Sequence, residues 1–169
     1  GPDEMSGVGT GLILAGTQDG IVLSLAETNF MISEAIEKGI ITGSTLYTDA
    51  QTPFYAGIEA SYLTLGLTTA NAFAYIGNSD TTAGLGWNGG NHIEAIMTQK
   101  WIATNGINPL ESFIDMNRTG FPVIPMATNA LYPNRPLRLL YPTSELVANS
   151  ANVPSVSLSQ IFTQGPFWK

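Results

Sequence analysis

The sequence predicts a mainly α-helical protein, built from helical hairpins of the tetratricopeptide kind joined by long packed loops. Three observations carry that expectation. Apolar residues recur at helical spacing in several segments. Polar residues suited to capping, or Pro, open these segments and Gly closes them. The connections between them are rich in Gly and Pro yet carry large apolar side chains, and strands are minor.

Residues 1–20 are Gly-rich and polar, with Leu12-Ile13-Leu14 as an apolar knot, and read as irregular. The opening Gly1-Pro2-Asp3-Glu4 suits a protease scar or an internal cut. The clearest helix covers 21–38. Ile21, Leu25, Thr28 or Asn29, Ile32 and Ile36 fall on one stripe, and Gly39 stands where a C-terminal cap belongs. Val22, Leu23, Phe30, Met31 and Ala35 widen the apolar surface, so burial on more than one side is expected. A second helix is expected over 53–65, with Thr52 as cap, Pro53 in the first turn and Gly66 as stop. The two form a helix-turn-helix unit of about 45 residues, longer than a tetratricopeptide repeat but of the same type.

A short helix is expected over 68–76. A loop with five glycines follows from Gly77 to Gly90. Asn91 with Glu94 at the third helical position resembles a capping box, and Ile93, Ile96, Met97 and Trp101 then form one apolar face, which places Trp101 in the core. Asn105-Gly106 ends that helix. Asn108-Pro109-Leu110-Glu111 repeats the cap chemistry, with Leu110, Phe113 and Ile114 as the next face and Gly120 as stop. From Phe121 to Pro142 the chain reads as a Pro-rich coil whose many apolar residues must pack on something. Thr143 is expected to cap a short helix through Ala148, and the chain closes on Phe167-Trp168-Lys169.

The chain has 169 residues, 44% of them hydrophobic and only 11% charged. That is one domain's worth of chain with enough apolar material for a core. Its polar surface must come from Asn, Thr, Ser, Gln and Gly, since an average soluble protein carries about 25% charged residues. This suits a cell-surface protein that binds neutral polar ligands, and equally a piece of a larger protein. A net charge of -7 with six scattered Lys and Arg excludes a nucleic-acid binder and disfavours an anionic membrane surface. Without Cys there are no disulfides and no thiolate zinc sites.

Candidate chemistry is sparse. His92 is the sole histidine and opens a helix with no G-x-S-x-G nearby, so neither a catalytic triad nor a histidine metal site is expected. Glu27 and Glu34 share a helical face, roughly 10 Å apart along the axis, which superficially suits an inverting glycosidase. Carboxylates on such a helix more usually bind neighbouring backbone or Arg side chains, and that is the expected use. Arg118 and Arg138 read as organisers of irregular loops. Trp87 differs, because it sits in the Gly-rich loop with Asn88 beside it and Tyr75, Asn78 and Asp80 close in sequence. Aromatic faces stack on sugar rings, and amide side chains bond hydroxyls. These five residues are the candidate ligand contacts, the alternative being a tryptophan tucked into the scaffold.

Three stretches, in order, resemble one family. They are Ala26-Glu27-Thr28-Asn29-Phe30-Met31-Ile32-Ser33-Glu34-Ala35; then Gln99-Lys100-Trp101-Ile102 with Arg118-Thr119-Gly120-Phe121-Pro122; then Arg138-Leu139-Leu140-Tyr141-Pro142 followed by Glu145. Together they resemble the C-terminal part of SusD/RagB-like outer-membrane nutrient-binding lipoproteins. The resemblance implies that residues 1–169 are a portion of a longer nutrient-binding domain, an α-superhelix of tetratricopeptide-like pairs whose N-terminal repeats are missing. It implies a Bacteroidetes cell-surface lid, held to the outer membrane by a lipid anchor on the parent protein. Such a lid captures glycans, or in some members peptides, for a SusC-like TonB-dependent transporter. It implies no cofactor, no metal and no catalytic residue.

Overall fold

A computed structural model describes residues 9, 11–13, 15–42 and 45–167. The expectations for Gly1-Pro2-Asp3-Glu4, for Leu14 and for Trp168-Lys169 fall outside these residues. Among them there are six α-helices and no strand, as the periodicity predicts. The chain divides into two compact units, Gly1–Pro122 and Val123–Lys169.

The first unit holds α1 (Leu25–Glu37), α2 (Gln51–Thr64), α3 (Thr69–Ser79), α4 (His92–Thr104) and α5 (Pro109–Thr119). Helix α1 starts four residues later than expected because the Ser24 hydroxyl accepts the Glu27 N–H at 3.0 Å and caps it there. Its buried side also differs from the expected stripe. Ala26, Phe30 and Ser33 face inward with Glu27 and Glu34, whereas Leu25 is 67% exposed. Charged residues take inward positions here because cations on other helices meet them. Ala50, not Thr52, is the N-cap of α2, and the Asp49 carboxylate just before it accepts the first-turn Thr52 N–H at 2.7 Å. Pro53 does lie in the first turn, and Gly66 follows the last turn at φ 79°.

The α1–α2 hairpin closes on an edge-to-face pair, Phe30 against Phe54 at 6.1 Å. Gly57 makes this approach possible, since a Cβ there would lie 2.8 Å from the Phe30 ring. Ser33 and Asn29 satisfy the turn, through Ser33 Oγ to the Ala50 carbonyl at 2.7 Å and Tyr47 Oη to Asn29 Oδ1 at 2.8 Å. Helix α4 lays Ala95, Ile96, Met97 and Ala103 on this hairpin. Each fully buried large side chain contributes about 1.5–3 kcal/mol. Trp101 is only half-buried, contrary to its expected core place, because α4 turns Ile96, Met97 and Lys100 inward instead.

Helix α3 runs through Gly77 to Ser79, past its expected end at 76. The Thr68–Asn71 capping box starts it, and burial of Ala72 and Ser79 holds it against the roughly 1 kcal/mol propensity penalty of a glycine. Asn91 caps α4 through the Glu94 N–H at 3.2 Å, but Asn108 gives α5 no side-chain cap. Pro109 at the start and Gly120 at φ 82° suffice for that helix.

One ionic array ties α1, α4 and α5 together. Arg118 donates to both Glu34 oxygens, at 2.5 and 2.8 Å, and to Asp115 at 2.8 Å. Lys38 meets Glu34 at 2.5 Å. The Lys100 ammonium lies 2.6 Å from Asp115 Oδ2, an ion pair without an aligned hydrogen bond, and 3.8 Å from Glu27. Three carboxylates thus meet three cations.

In the second unit, α6 (Thr143–Ala148) follows Pro142, with no side-chain cap from Thr143. Ile161 is buried, Tyr132 stacks on Phe162 at 4.3 Å, and the Leu137 N–H reaches the Ile161 carbonyl at 2.8 Å. The expected packing of this Pro-rich coil is only partial. Val123 is 75% and Leu131 87% exposed, because a unit this short has few partners to offer.

Candidate functional site

The candidate ligand residues lie along α3 and the α3–α4 loop, and Asp80 organises them. Asp80 ends α3. Its Oδ1 accepts from Tyr55 Oη at 2.7 Å and from the Trp87 N–H at 3.2 Å, and its Oδ2 accepts from Asn88 Nδ2 at 2.5 Å. Burial pushes this carboxyl upward. The bonds from Tyr55, Asn88 and the Trp87 N–H outweigh that push and hold it below the usual aspartate range. In return, burial and the Asp80 carboxylate raise the Tyr55 phenol.

Two glycines let the loop fold this tightly. A Cβ at Gly86 would lie 2.2 Å from the Asp80 carbonyl oxygen, and one at Gly89 2.2 Å from that of Thr82. A 3₁₀ turn over Trp87–Gly89 then turns the indole inward. Trp87 is 8% exposed, packs 5.3 Å from Phe54 and stacks on His92 at 4.1 Å with the rings 16° apart. His92 Nδ1 in turn lies 2.9 Å from Glu37 Oε1. The indole is therefore part of the scaffold's packing.

Tyr75 faces the core as well. Its hydroxyl bonds Gln99 Nε2 at 2.9 Å, and its ring lies 5.6 Å from Tyr62 beside a cavity of about 170 Å³ lined by Phe30, Ile58, Ser61 and Gln99. Asn78 and Asn88 are the members of the set with exposed side chains, and Thr81 and Thr82 in the same loop are exposed too. The structure thus joins Asp80, Trp87 and Asn88 in one bonded cluster, leaves Asn78 at the surface and turns Tyr75 to the interior. Nothing local in the sequence marks Tyr55, since only the fold brings α2 to the loop.

Glu27 and Glu34 are members of the ionic array. Burial raises Glu27, with Lys100 offsetting part of that. Glu34 is also pushed up by burial, but Arg118 and Lys38 bring it below the usual range. Arg118 links helices rather than loops. The loop-tying role expected of Arg138 falls to Arg135, which donates to the carbonyls of Ile124 and Pro125 at 2.9 and 3.0 Å. Among the described residues, no group of three His, Asp or Glu is placed to hold a metal ion, and no described helix is long and apolar enough to cross a membrane.

The model of a family described as SusD-like, starch-binding and associating with the outer membrane matches residues 4–142. The chain belongs to the SusD-like family. Helices without a strand among the described residues are consistent with a SusD-like fold. Members of this family are binding proteins associated with the outer membrane. No curated protein and no solved structure gives a significant match to the chain.

The Asp80 cluster yields a direct test. A carboxyl lowered on folding contributes stability above its unfolded pKa of about 3.9 and loses it as the pH falls through the folded value. Asp80→Asn should therefore lower the thermal midpoint at pH 6. The gap to wild type should close as the pH drops below about 4. A gap of constant size across that range would show that the charge of Asp80 is not what holds the loop.

Proposed function

We propose that the chain is part of a glycan-capturing lid on the outer face of the outer membrane, lipid-anchored through its parent protein. The lid delivers its ligand to a SusC-like TonB-dependent transporter. The family match over residues 4–142 is the observation that carries this reading. Two features support it. The surface is poor in charge and rich in amides and hydroxyls. The last turn of α3 and the α3–α4 loop also present Asn78 and Asn88, either side of a backbone that Asp80 and Trp87 fix from beneath.

Preorganised amide groups bond sugar hydroxyls without a further ordering penalty. In this reading Asn78 and Asn88 touch the ligand, while Trp87, Asp80 and Tyr75 hold the loop and α3 in place. The test is native affinity electrophoresis of the full chain through gels carrying single polysaccharides, neutral and acidic. Retardation by at least one, reduced by Asn78→Ala or Asn88→Ala, is the expected result. Unchanged mobility in every gel would overturn the glycan reading.

A further inference from the structure

The described part of the chain contains five basic side chains, and four of them are committed. Lys38, Lys100 and Arg118 meet carboxylates in the ionic array, and Arg135 is spent on two backbone carbonyls. Arg138 differs. Its Nε makes one long contact, 3.5 Å to the Leu139 carbonyl, and its two terminal nitrogens meet no acceptor among the described residues. In a protein of net charge -7, carboxylates are plentiful, yet none among the described residues is placed against this guanidinium.

The surroundings of Arg138 are built. The Leu137–Ile161 hydrogen bond and the Tyr132–Phe162 stack hold residues 135–141 alongside 160–167. The guanidinium carbon lies over the Tyr141 ring, 4.9 Å from its centre, a cation–π contact that holds the head group at this end of the unit. Arg138 and Tyr141, with Leu139, Gly165, Pro166 and Phe167, line an open cleft of about 410 Å³. That volume lies within the usual 300–1,000 Å³ range of small-molecule sites.

We propose that this cleft binds the carboxylate of a uronic-acid residue in an acidic glycan. A guanidinium fork matches a carboxylate through two parallel N–H···O bonds. The apolar face of a pyranose ring suits the Tyr141, Pro166 and Phe167 surfaces, and a uronic acid presents both features at once. This inference rests on the glycan reading above, and it narrows the ligand from glycans in general to acidic ones.

The experiment compares polygalacturonate with its carboxyl-reduced form in affinity gels run with the full chain. Wild type should bind the acidic polymer at least about tenfold more tightly, the worth of one charge-assisted pair. Arg138→Gln should abolish that preference, and Arg138→Lys should retain part of it. Circular dichroism should show both variants folded, since Arg138 makes no strong bond within the chain. Equal binding of the two polymers, or a preference that survives Arg138→Gln, overturns the uronate site while leaving the glycan reading intact. Retardation by no polysaccharide at all overturns both. Competition by short peptides with free carboxylates, where uronate oligosaccharides do not compete, assigns the cleft to peptides and overturns the proposal.

Discussion

Lys100→Met should destabilise the helical unit by about 3–5 kcal/mol, as expected when one partner of a buried ion pair is removed. The Lys100 side chain is 6% exposed, with Asp115 and Glu27 on either side of its ammonium. Methionine fills the space of the stem but takes from buried Glu27 its facing cation and leaves Asp115 with Arg118 alone. The pH dependence of that loss follows from the sign of the Glu27 shift. Burial already raises Glu27, and Lys100 opposes that rise. Without Lys100 the folded-state pKa moves further up. A raised carboxyl contributes stability below its unfolded value of about 4.3 and loses it as the pH climbs through the folded value. The deficit of Lys100→Met against wild type, from urea titrations, should therefore be largest at pH 7 and shrink toward pH 4. Adding Asp115→Asn to Lys100→Met should recover a large share of the loss, because the two residues act as a unit. Wild-type stability of Lys100→Met at pH 7 would show that the array contributes nothing net.

That array explains a limit on what the sequence discloses. Helical spacing located all six helices and most of their ends, because Gly39, Gly66, Gly106 and Gly120 stop chains by local conformation. It misjudged which face of α1 is buried, since a period of apolar residues assumes that charged residues face water. Glu27 and Glu34 turn inward only because Lys100 and Arg118 arrive from α4 and α5, and no local pattern contains that information. The same holds for Asp49, whose bond to the first-turn Thr52 N–H depends on the turn before α2 rather than on the Thr52-Pro53 signature.

The candidate site was legible in its members more than in their roles. A Gly-rich loop with Asn, Asp and Trp attracts attention by composition, and three of those residues do form one cluster. Whether an aromatic ring in such a loop faces solvent or scaffold depends on contacts distant in sequence. For Trp87 these come from Phe54 on α2 and from His92, which Glu37 on α1 meets. Arg138 shows the converse. A motif suggests a loop organiser, but only the arrangement of acceptors shows that Arg135 has taken that task and left Arg138 available.

Trp87→Ala should cost about 3–5 kcal/mol, the usual range for truncating a buried aromatic to alanine. The indole fills the space between Phe54 and His92, and neither neighbour can follow it inward. His92 sits on the first turn of α4 and Phe54 on the first turns of α2, so both are held by their helices and a cavity results. Trp87→Phe keeps an aromatic in the same slot and should recover more than half of the loss. Thermal melts of the three proteins separate this from a ligand-facing role. An indole that merely lined a binding surface would leave the melting temperature unchanged while abolishing retardation in a polysaccharide gel. A packed indole lowers the melting temperature first. Any loss of binding then follows from loosening of the loop that carries Asn88, and Trp87→Phe restores stability and binding together. If Trp87→Ala melts with wild type, the packing role assigned to this ring is wrong.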